Sequence, residues 1–166
     1  PTRKRSRSGK KSQVPNDVIV DGVGDLLTSI AKCCKPVPYD PIVGYITRGR
    51  GITIHRRDCS MIQRIDEIGM ERLINVVWAH DPEAGSGSYP VDIRVYAIDR
   101  KGLLRDISSV LANEDVDVSD VKSHSDHKKD RATMRFTIEI QDMQQLSRVM
   151  EKVSQLPDVI EVKRQT

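Results

Sequence analysis

Three cysteines and one histidine lie near one another in the chain and could together hold a metal ion. Cys33 and Cys34 are adjacent, and His55 and Cys59 form a His-x3-Cys element. Thiolate and imidazole are the preferred ligands of tetrahedral structural zinc, so these four residues are candidate zinc ligands. The alternative is that Cys33 and Cys34 are small packing residues and that His55 points to solvent, because adjacent cysteine side chains tend to diverge.

The sequence offers no catalytic constellation around these thiols. No asparagine or aspartate is placed to complete a triad with a cysteine and His55, which argues against a nucleophilic thiol. We find no phosphate-binding glycine loop, no nucleotide-binding lysine motif and no suitable pair of carboxylates. An odd number of cysteines, two of them adjacent, is poor material for disulfides and indicates a reducing compartment. We therefore predict no enzyme active site in this chain.

A basic turn lies between the paired cysteines and Cys59. It carries four arginines, and no acid occurs between the first and the last of them: Arg48, Arg50, Arg56 and Arg57. A guanidinium group matches phosphate oxygens two at a time, so RNA or another polyanion is the expected partner. A solvated sheet edge would have a similar composition and is the alternative.

The charge of the chain is unevenly distributed. Residues 1–11 hold six Lys or Arg and no acid, which leaves 21 bases against 24 acids in the remainder. We interpret residues 1–17 as a basic flexible linker, with a nucleic-acid-binding arm as the alternative. No apolar run approaches the roughly 18 residues that span a bilayer, and we expect a cytoplasmic, C-terminal fragment of a longer protein.

The elements around the cysteines predict a small αββαβ domain at residues 18–80. Glycines in the basic turn favour a β-hairpin, because they adopt the positive φ that tight turns require. The predicted order is a strand at Val18–Val23, a helix at Gly24–Cys34, hairpin strands at Ile42–Thr47 and Ile52–His55, a helix from Asp58 or Ser60 to about Ile68, and a strand at Leu73–Trp78.

A turn-rich linker at residues 81–88 precedes a second predicted domain at residues 89–166. Its apolar residues alternate with period 2 in strands and with period 3.6 in helices, which predicts a ferredoxin-like βαββαβ fold. The fold class is therefore α+β. The turn at Asp99, Gly102 and Leu103 could present helix amides to a carboxylate ligand, although a tight connection alone would also explain the glycine. This half is net negative, so we expect no positive surface comparable to the basic turn.

Both halves resemble one family. The stretch IAKCCKPVPYDPIVGYITRGRGITIHRRDC is similar to the conserved-cysteine or zinc-finger domain of the RelA/SpoT stringent-response proteins, and VYAIDRKGLLRDISSVLANEDVDVSDVKS to their ACT domain. The resemblance covers about residues 18–166 and is strongest to the ribosome-dependent (p)ppGpp synthetases. It implies that Cys33, Cys34, His55 and Cys59 are the residues that give the first domain its name.

The resemblance also implies a function. The parent protein would transfer pyrophosphate from ATP to GTP or GDP in an N-terminal catalytic half, and this chain would be its regulatory end. Its partners would be that catalytic half, ribosomal RNA near the A site and uncharged tRNA, with no membrane. Two alternatives stay open: an ACT-type amino-acid sensor, and a self-association domain that forms a homodimer and restrains the synthetase.

Overall fold

A computed structural model of the chain describes residues 18–20, 27–49, 51–78 and 88–165. The elements form two groups along the chain. The first contains β1 (Val18–Val20), β2 (Thr28–Ile30), β3 (Ile42–Thr47), β4 (Gly51–Arg56), α1 (Ser60–Gln63), α2 (Glu67–Met70), β5 (Leu73–Ile74) and β6 (Val76–Trp78). The second contains β7 (Tyr89–Ile98), α3 (Leu103–Asn113), β8 (Asp117–Asp126), β9 (Arg131–Ile140), α4 (Met143–Ser154) and β10 (Val159–Arg164).

The first group is built around the predicted hairpin. Strands β3 and β4 pair antiparallel, β2 lies parallel to β4 on one side, and β5 pairs with β3 on the other. Strands β1 and β6 form a separate antiparallel pair. A small apolar core fills the space behind the hairpin, and its fully buried members are Ile42, Ile52, Ile54 and Val76.

The helix predicted at Gly24–Cys34 is wrong for the part that the structure describes. Strand β2 occupies Thr28–Ile30 and a turn follows at residues 32–34. The apolar spacing suggested a helical stripe, but Ile30 lies opposite Ile54 in the sheet and the next amide donates to the Ile54 carbonyl at 2.9 Å. Pairing with the hairpin therefore outweighs the local preference of a short segment.

The predicted helix after Asp58 is also interrupted. It consists of α1 and α2 with a break between Gln63 and Glu67. The carboxylate of Asp66 accepts a hydrogen bond from the Gly69 amide at 2.7 Å and caps the second helix. An aspartate in that position starts a new helix because it supplies an acceptor to a free amide of the first turn.

The second group confirms the predicted βαββαβ order. Its four strands form one antiparallel sheet in the order β10-β7-β9-β8. Alternate residues of β7 and β9 are buried, and helices α3 and α4 supply the opposing apolar stripes. The largest fully buried side chains of this core are Ile93, Ile107, Leu111, Phe136, Ile138, Ile140 and Leu146. No helix of the described residues is long and apolar enough to cross a membrane.

The two groups also contact each other. Val37, which belongs to the first group by sequence, is fully buried in the core of the second. A buried ion pair joins Asp40 to Arg164 at 2.7 Å. The Pro-, Gly- and Ser-rich linker predicts two independently packed units, and these two contacts join the units in the described residues.

Candidate metal centre and basic surfaces

Three elements bring the cysteines and the histidine together. Cys33 and Cys34 lie in the turn after β2, His55 lies near the end of β4, and Cys59 is the N-cap residue of α1. Because β2 runs parallel to β4, the turn that follows β2 reaches the end of β4 where His55 lies. The chain then folds back through a hydrogen bond from the Cys59 amide to the Arg56 carbonyl at 3.1 Å.

The four donor atoms have the spacing of a tetrahedral site. The Sγ of Cys33 lies 3.9 Å from the Sγ of Cys34, 3.6 Å from the Sγ of Cys59 and 3.4 Å from the Nδ1 of His55. The Sγ of Cys34 lies 3.8 Å from the same Nδ1, and all four donors lie within 4.8 Å of one another. Zinc–sulfur and zinc–nitrogen bond lengths imply edges of roughly 3.5 to 3.8 Å in a tetrahedron. The adjacent cysteines therefore converge rather than diverge, and the cluster can hold a metal ion.

The electrostatics of the cluster also suit a cation. Burial, with the neighbouring Cys59 thiol, raises the pKa of Cys33, and burial raises the pKa of Cys34 above its ordinary range. Burial lowers the pKa of His55, which keeps the imidazole neutral and able to act as a ligand. Protons on the thiols are therefore expected without a cation, and a divalent metal would displace them.

One backbone contact further fits thiolate ligation. The amide of Arg56 donates to the Sγ of Cys34 at 3.3 Å, which would stabilise negative charge on that sulfur. Cys34 and Cys59 also pack with Ala31 and Ile62 in a small buried cluster, so the packing interpretation describes part of their environment. Packing does not account for the position of Cys33, which is exposed and still points at the other three donors.

The basic turn is a hairpin tip, as predicted. Gly49 and Gly51 have φ values of 74° and 90°, and the Thr47 hydroxyl donates to the Gly51 carbonyl at 2.9 Å. Arg48 is exposed at this tip and has no ion-pair partner among the described residues. Arg50 lies outside the described residues.

The other two arginines of the predicted set lie at the opposite end of β4. Six residues of strand separate them from the tip, which is about 20 Å at 3.3 Å per residue. Arg57 is exposed, whereas the Arg56 side chain is only 11% exposed and pairs with Asp58 at 2.6 Å. Arg56 is therefore a poor phosphate ligand, and Arg48 and Arg57 do not lie on one continuous surface.

A second positive surface lies on the second domain, contrary to expectation. Four cations stand directly opposite one another across all four strands of its sheet, in the order Lys163, Arg94, Arg135 and Lys122. They lie on the face that is turned away from the helices, and the row is roughly 14 Å long at the usual strand spacing. Like charges directly opposite destabilise a sheet. The sequence does not predict this row, because the row depends on strand register. The alternation of apolar and polar residues predicts only that each of the four side chains is exposed.

The turn before α3 is filled by its own side chains. Gly102 has a φ of 81° and is the N-cap residue of α3, and Leu103 is buried beneath it. Arg100 pairs with Asp106 at 2.8 Å and with Asp158 at 3.1 Å across this turn. The glycine is therefore explained by a tight connection, and these contacts favour a structural role over the amino-acid site considered for Asp99, Gly102 and Leu103.

Comparison with known proteins gives two domain matches. Residues 18–79 match the RelA/SpoT RIS domain, and residues 85–164 match the ACT domain. The GTP pyrophosphokinase of Escherichia coli strain K12 is 49% identical over 147 residues, which is 89% of this chain and 19% of that protein. The GTP pyrophosphokinase of Haemophilus influenzae is 45% identical over 158 residues, which is 95% of this chain and 21% of that protein.

The solved structures similar to part of this chain include an ACT domain. The crystal structure of the ACT domain from the GTP pyrophosphokinase of Chlorobium tepidum aligns with 46% of this chain and 97% of its own, at 21% identity and a TM-score of 0.42. The chain thus spans about a fifth of the length of the curated relatives that it matches. Both matched domains are regulatory, and the matched region does not include a catalytic domain.

Proposed function

Since this chain belongs to the RelA/SpoT family and carries its RIS and ACT domains, we propose that it is the ribosome-binding regulatory region of a (p)ppGpp synthetase. In this role it contacts ribosomal RNA near the A site and responds to uncharged tRNA. It then signals to the catalytic half of the same protein, a GTP pyrophosphokinase of the cytoplasm. The likeness to the E. coli and H. influenzae enzymes supports this role.

The exposed arginine at the hairpin tip carries the RNA part of the proposal. Arg48 is fixed by a glycine-held turn, so little conformational freedom is lost when its guanidinium group binds a phosphate. Arg50 lies two residues after Arg48 in the sequence, and Arg57 is exposed at the far end of β4. Arginines at both ends of the hairpin could bind phosphates on two neighbouring segments of a structured RNA.

The row of cations on the ACT sheet supports the same partner. Lys163 pairs with Glu161, but the other three cations of the row repel one another in the free domain, and a bound polyanion would relieve that repulsion. The adjacent row on the same face consists of Glu161, Tyr96, Thr133 and His124, so an aromatic ring lies beside the cations where a base could stack, with one acid next to it. This surface and the hairpin give the region two separate contacts with RNA.

Ribosome co-sedimentation of the full-length protein tests the hairpin contact. Replacing Arg48 and Arg57 by Ala should weaken binding and reduce the slope of log affinity against log salt by roughly 0.7 to 0.9 for each lost phosphate contact. Arg105→Ala is the matched control, because Arg105 is 81% exposed on a helix of the other domain. Unchanged ribosome affinity and unchanged ribosome-stimulated synthesis in the folded double variant would contradict the assignment.

The ACT row has its own test. Arg94→Gln with Lys122→Gln removes two of its four cations and should weaken binding to ribosomal RNA in a salt-dependent way, with the same reduction in slope for each contact. Binding equal to that of the unmodified protein would limit the RNA contact to the hairpin.

We further propose that the cysteine cluster of the RIS domain binds structural zinc. Four protein donors leave no open coordination position, which is typical of a structural and not a catalytic site. In this role Cys33, Cys34, His55 and Cys59 hold together the turn after β2, the end of β4 and the start of α1. The metal would thus support the scaffold from which the arginines project.

A further inference from the structure

The segment that follows the paired cysteines reaches across to the ACT domain. We name residues 35–40 the clasp. Its Val37 side chain is fully buried in the ACT core, and Lys35 pairs with Asp92 of β7 at 2.9 Å. The clasp thus contacts the ACT domain both through its apolar core and through a charged residue on its sheet.

The far end of the clasp is held by a two-point ion pair. Arg164 of β10 donates from Nη1 to the Oδ1 of Asp40 at 2.8 Å and from Nη2 to Oδ2 at 2.7 Å. The same Nη2 donates to the Lys35 carbonyl at 2.9 Å. The side chains of Arg164 and Asp40 are only 10% and 5% exposed. One arginine of the ACT domain therefore binds both ends of the clasp.

The only tryptophan of the chain reports on this interface. The indole Nε1 of Trp78 donates to the Asp40 carbonyl at 2.9 Å, and the ring packs edge-on against Tyr89 with centroids 6.5 Å apart. Tyr89 begins the first strand of the ACT domain. Movement of the clasp away from the ACT domain would change the surroundings of this ring.

The near end of the clasp is joined directly to the metal cluster. Cys33 and Cys34 precede Lys35, which has a left-handed φ of 44°, and the Lys35 amide donates to the Ala31 carbonyl at 3.1 Å. A lysine rarely adopts this conformation, so neighbouring groups must hold the turn. Protonated thiols at 3.4 to 3.9 Å from their neighbours interact weakly, whereas bonds to a metal would fix both cysteines and the backbone that leaves them.

We propose that metal binding at the cysteine cluster and docking of the ACT domain through the clasp are thermodynamically coupled. A metal orders the turn that presents the Lys35 carbonyl to Arg164, and the docked ACT domain in turn orders the turn that presents Cys33 and Cys34 to the metal. Coupling between sites is reciprocal, so each event strengthens the other by the same factor. This coupling goes beyond RNA binding. Metal occupancy of the cysteine cluster would control the relative position of the two RNA-binding surfaces.

Zinc affinity measured in clasp variants tests the coupling. The full chain is freed of metal with a chelator and titrated with Zn²⁺ against a chromophoric competitor. Arg164→Met, which changes none of the four donor residues, should weaken zinc binding about tenfold, within the 5- to 150-fold range of typical couplings. Lys163→Met is the matched control and should change the affinity less than twofold, because its side chain is 60% exposed and pairs with Glu161 on the same strand.

Trp78 fluorescence provides the second readout. Zn²⁺ should shift the emission of the metal-free wild-type protein, and this shift should be much smaller in Arg164→Met. Equal zinc affinities in Arg164→Met and Lys163→Met would overturn the coupling, and so would a wild-type protein that binds no Zn²⁺. Neither result would bear on the ribosome contact of Arg48.

A milder pair of variants keeps the test decisive if Arg164→Met does not fold. Lys35→Met removes only the ion pair to Asp92 and should weaken zinc binding severalfold. Lys32→Met removes the same charge from the other side of the cysteines, where Lys32 is exposed, and should have no comparable effect. Equal losses in both variants would show a simple charge effect on the thiols and would overturn the proposal.

Discussion

Removing Arg164 should destabilise the whole molecule, because this residue closes the interface between the two domains. In Arg164→Met the Asp40 carboxylate stays buried and keeps only the Val37 amide, which donates to its Oδ2 at 2.8 Å. Loss of one partner from a buried ion pair typically costs about 3 to 5 kcal/mol, whereas an exposed pair contributes about 0 to 1 kcal/mol. We expect the larger value, since both side chains are at least nine-tenths buried.

Denaturation followed by two probes measures this loss. Circular dichroism reports the unfolding of both domains, and Trp78 fluorescence reports the interface. If the domains unfold together, a loss of about 3 to 5 kcal/mol lowers the melting temperature by roughly 6 to 20 °C for a unit of this size. The exposed neighbour Lys163→Met should lower stability by less than about 0.5 kcal/mol.

A second variant separates the ion pair from general disruption. In Asp40→Leu with Arg164→Met neither charge is left buried alone, so most of the lost stability should return. The reasoning is refuted if Arg164→Met loses less than about 1 kcal/mol, the value of a surface pair. That result would mean that water reaches the Asp40–Arg164 pair and that the domains are not docked through it.

The remaining predictions concern packing, pH, metal and ligand. Gly44→Ala should cost the RIS domain about 1 to 3 kcal/mol in urea denaturation, because a Cβ would lie 2.7 Å from Ile74 and 2.9 Å from Ile52 and Val76. Desolvation acts to raise the pKa of Asp92, but hydrogen bonds from Thr137 and Lys35 hold it below its ordinary 3.8. The contribution of Asp92 to stability is therefore complete above that value and is lost as the pH falls through the lowered pKa. Asp92→Asn should therefore lose less stability at acid pH than the wild-type protein, as followed by Trp78 fluorescence. Cys33→Ser with Cys59→Ser should reduce bound zinc from about one per chain to nearly none by elemental analysis, while a folded wild-type protein without zinc would favour packing cysteines. Calorimetry with branched-chain amino acids should show no saturable heat, and millimolar binding that is lost in a bulky variant of Gly102 would revive the sensor alternative.

Local patterns in the sequence were sufficient for the ACT domain and for the choice of candidate metal donors. The βαββαβ order follows from periods of 2 and 3.6, since each of its strands and helices has one buried face and is long enough to show it. Residue types alone made Cys33, Cys34, His55 and Cys59 candidate donors, and the structure places their donor atoms within 4.8 Å of one another. The hairpin tip followed from its glycines, which have the positive φ that was expected.

Tertiary structure decided the features that depend on partners distant in sequence. Thr28–Ile30 is a strand because it pairs with the edge of β4. The sequence around Thr28–Ile30 does not indicate that partner. Arg56 appears identical to Arg57 in the sequence, yet its position at the end of β4 buries it against Asp58. The cationic row depends on the register of four strands, and the pair of Asp40 with Arg164 joins residues 124 positions apart. Periodicity encodes which face of an element is buried, whereas register and docking depend on which other surface covers it, and that surface is determined only when the whole chain packs.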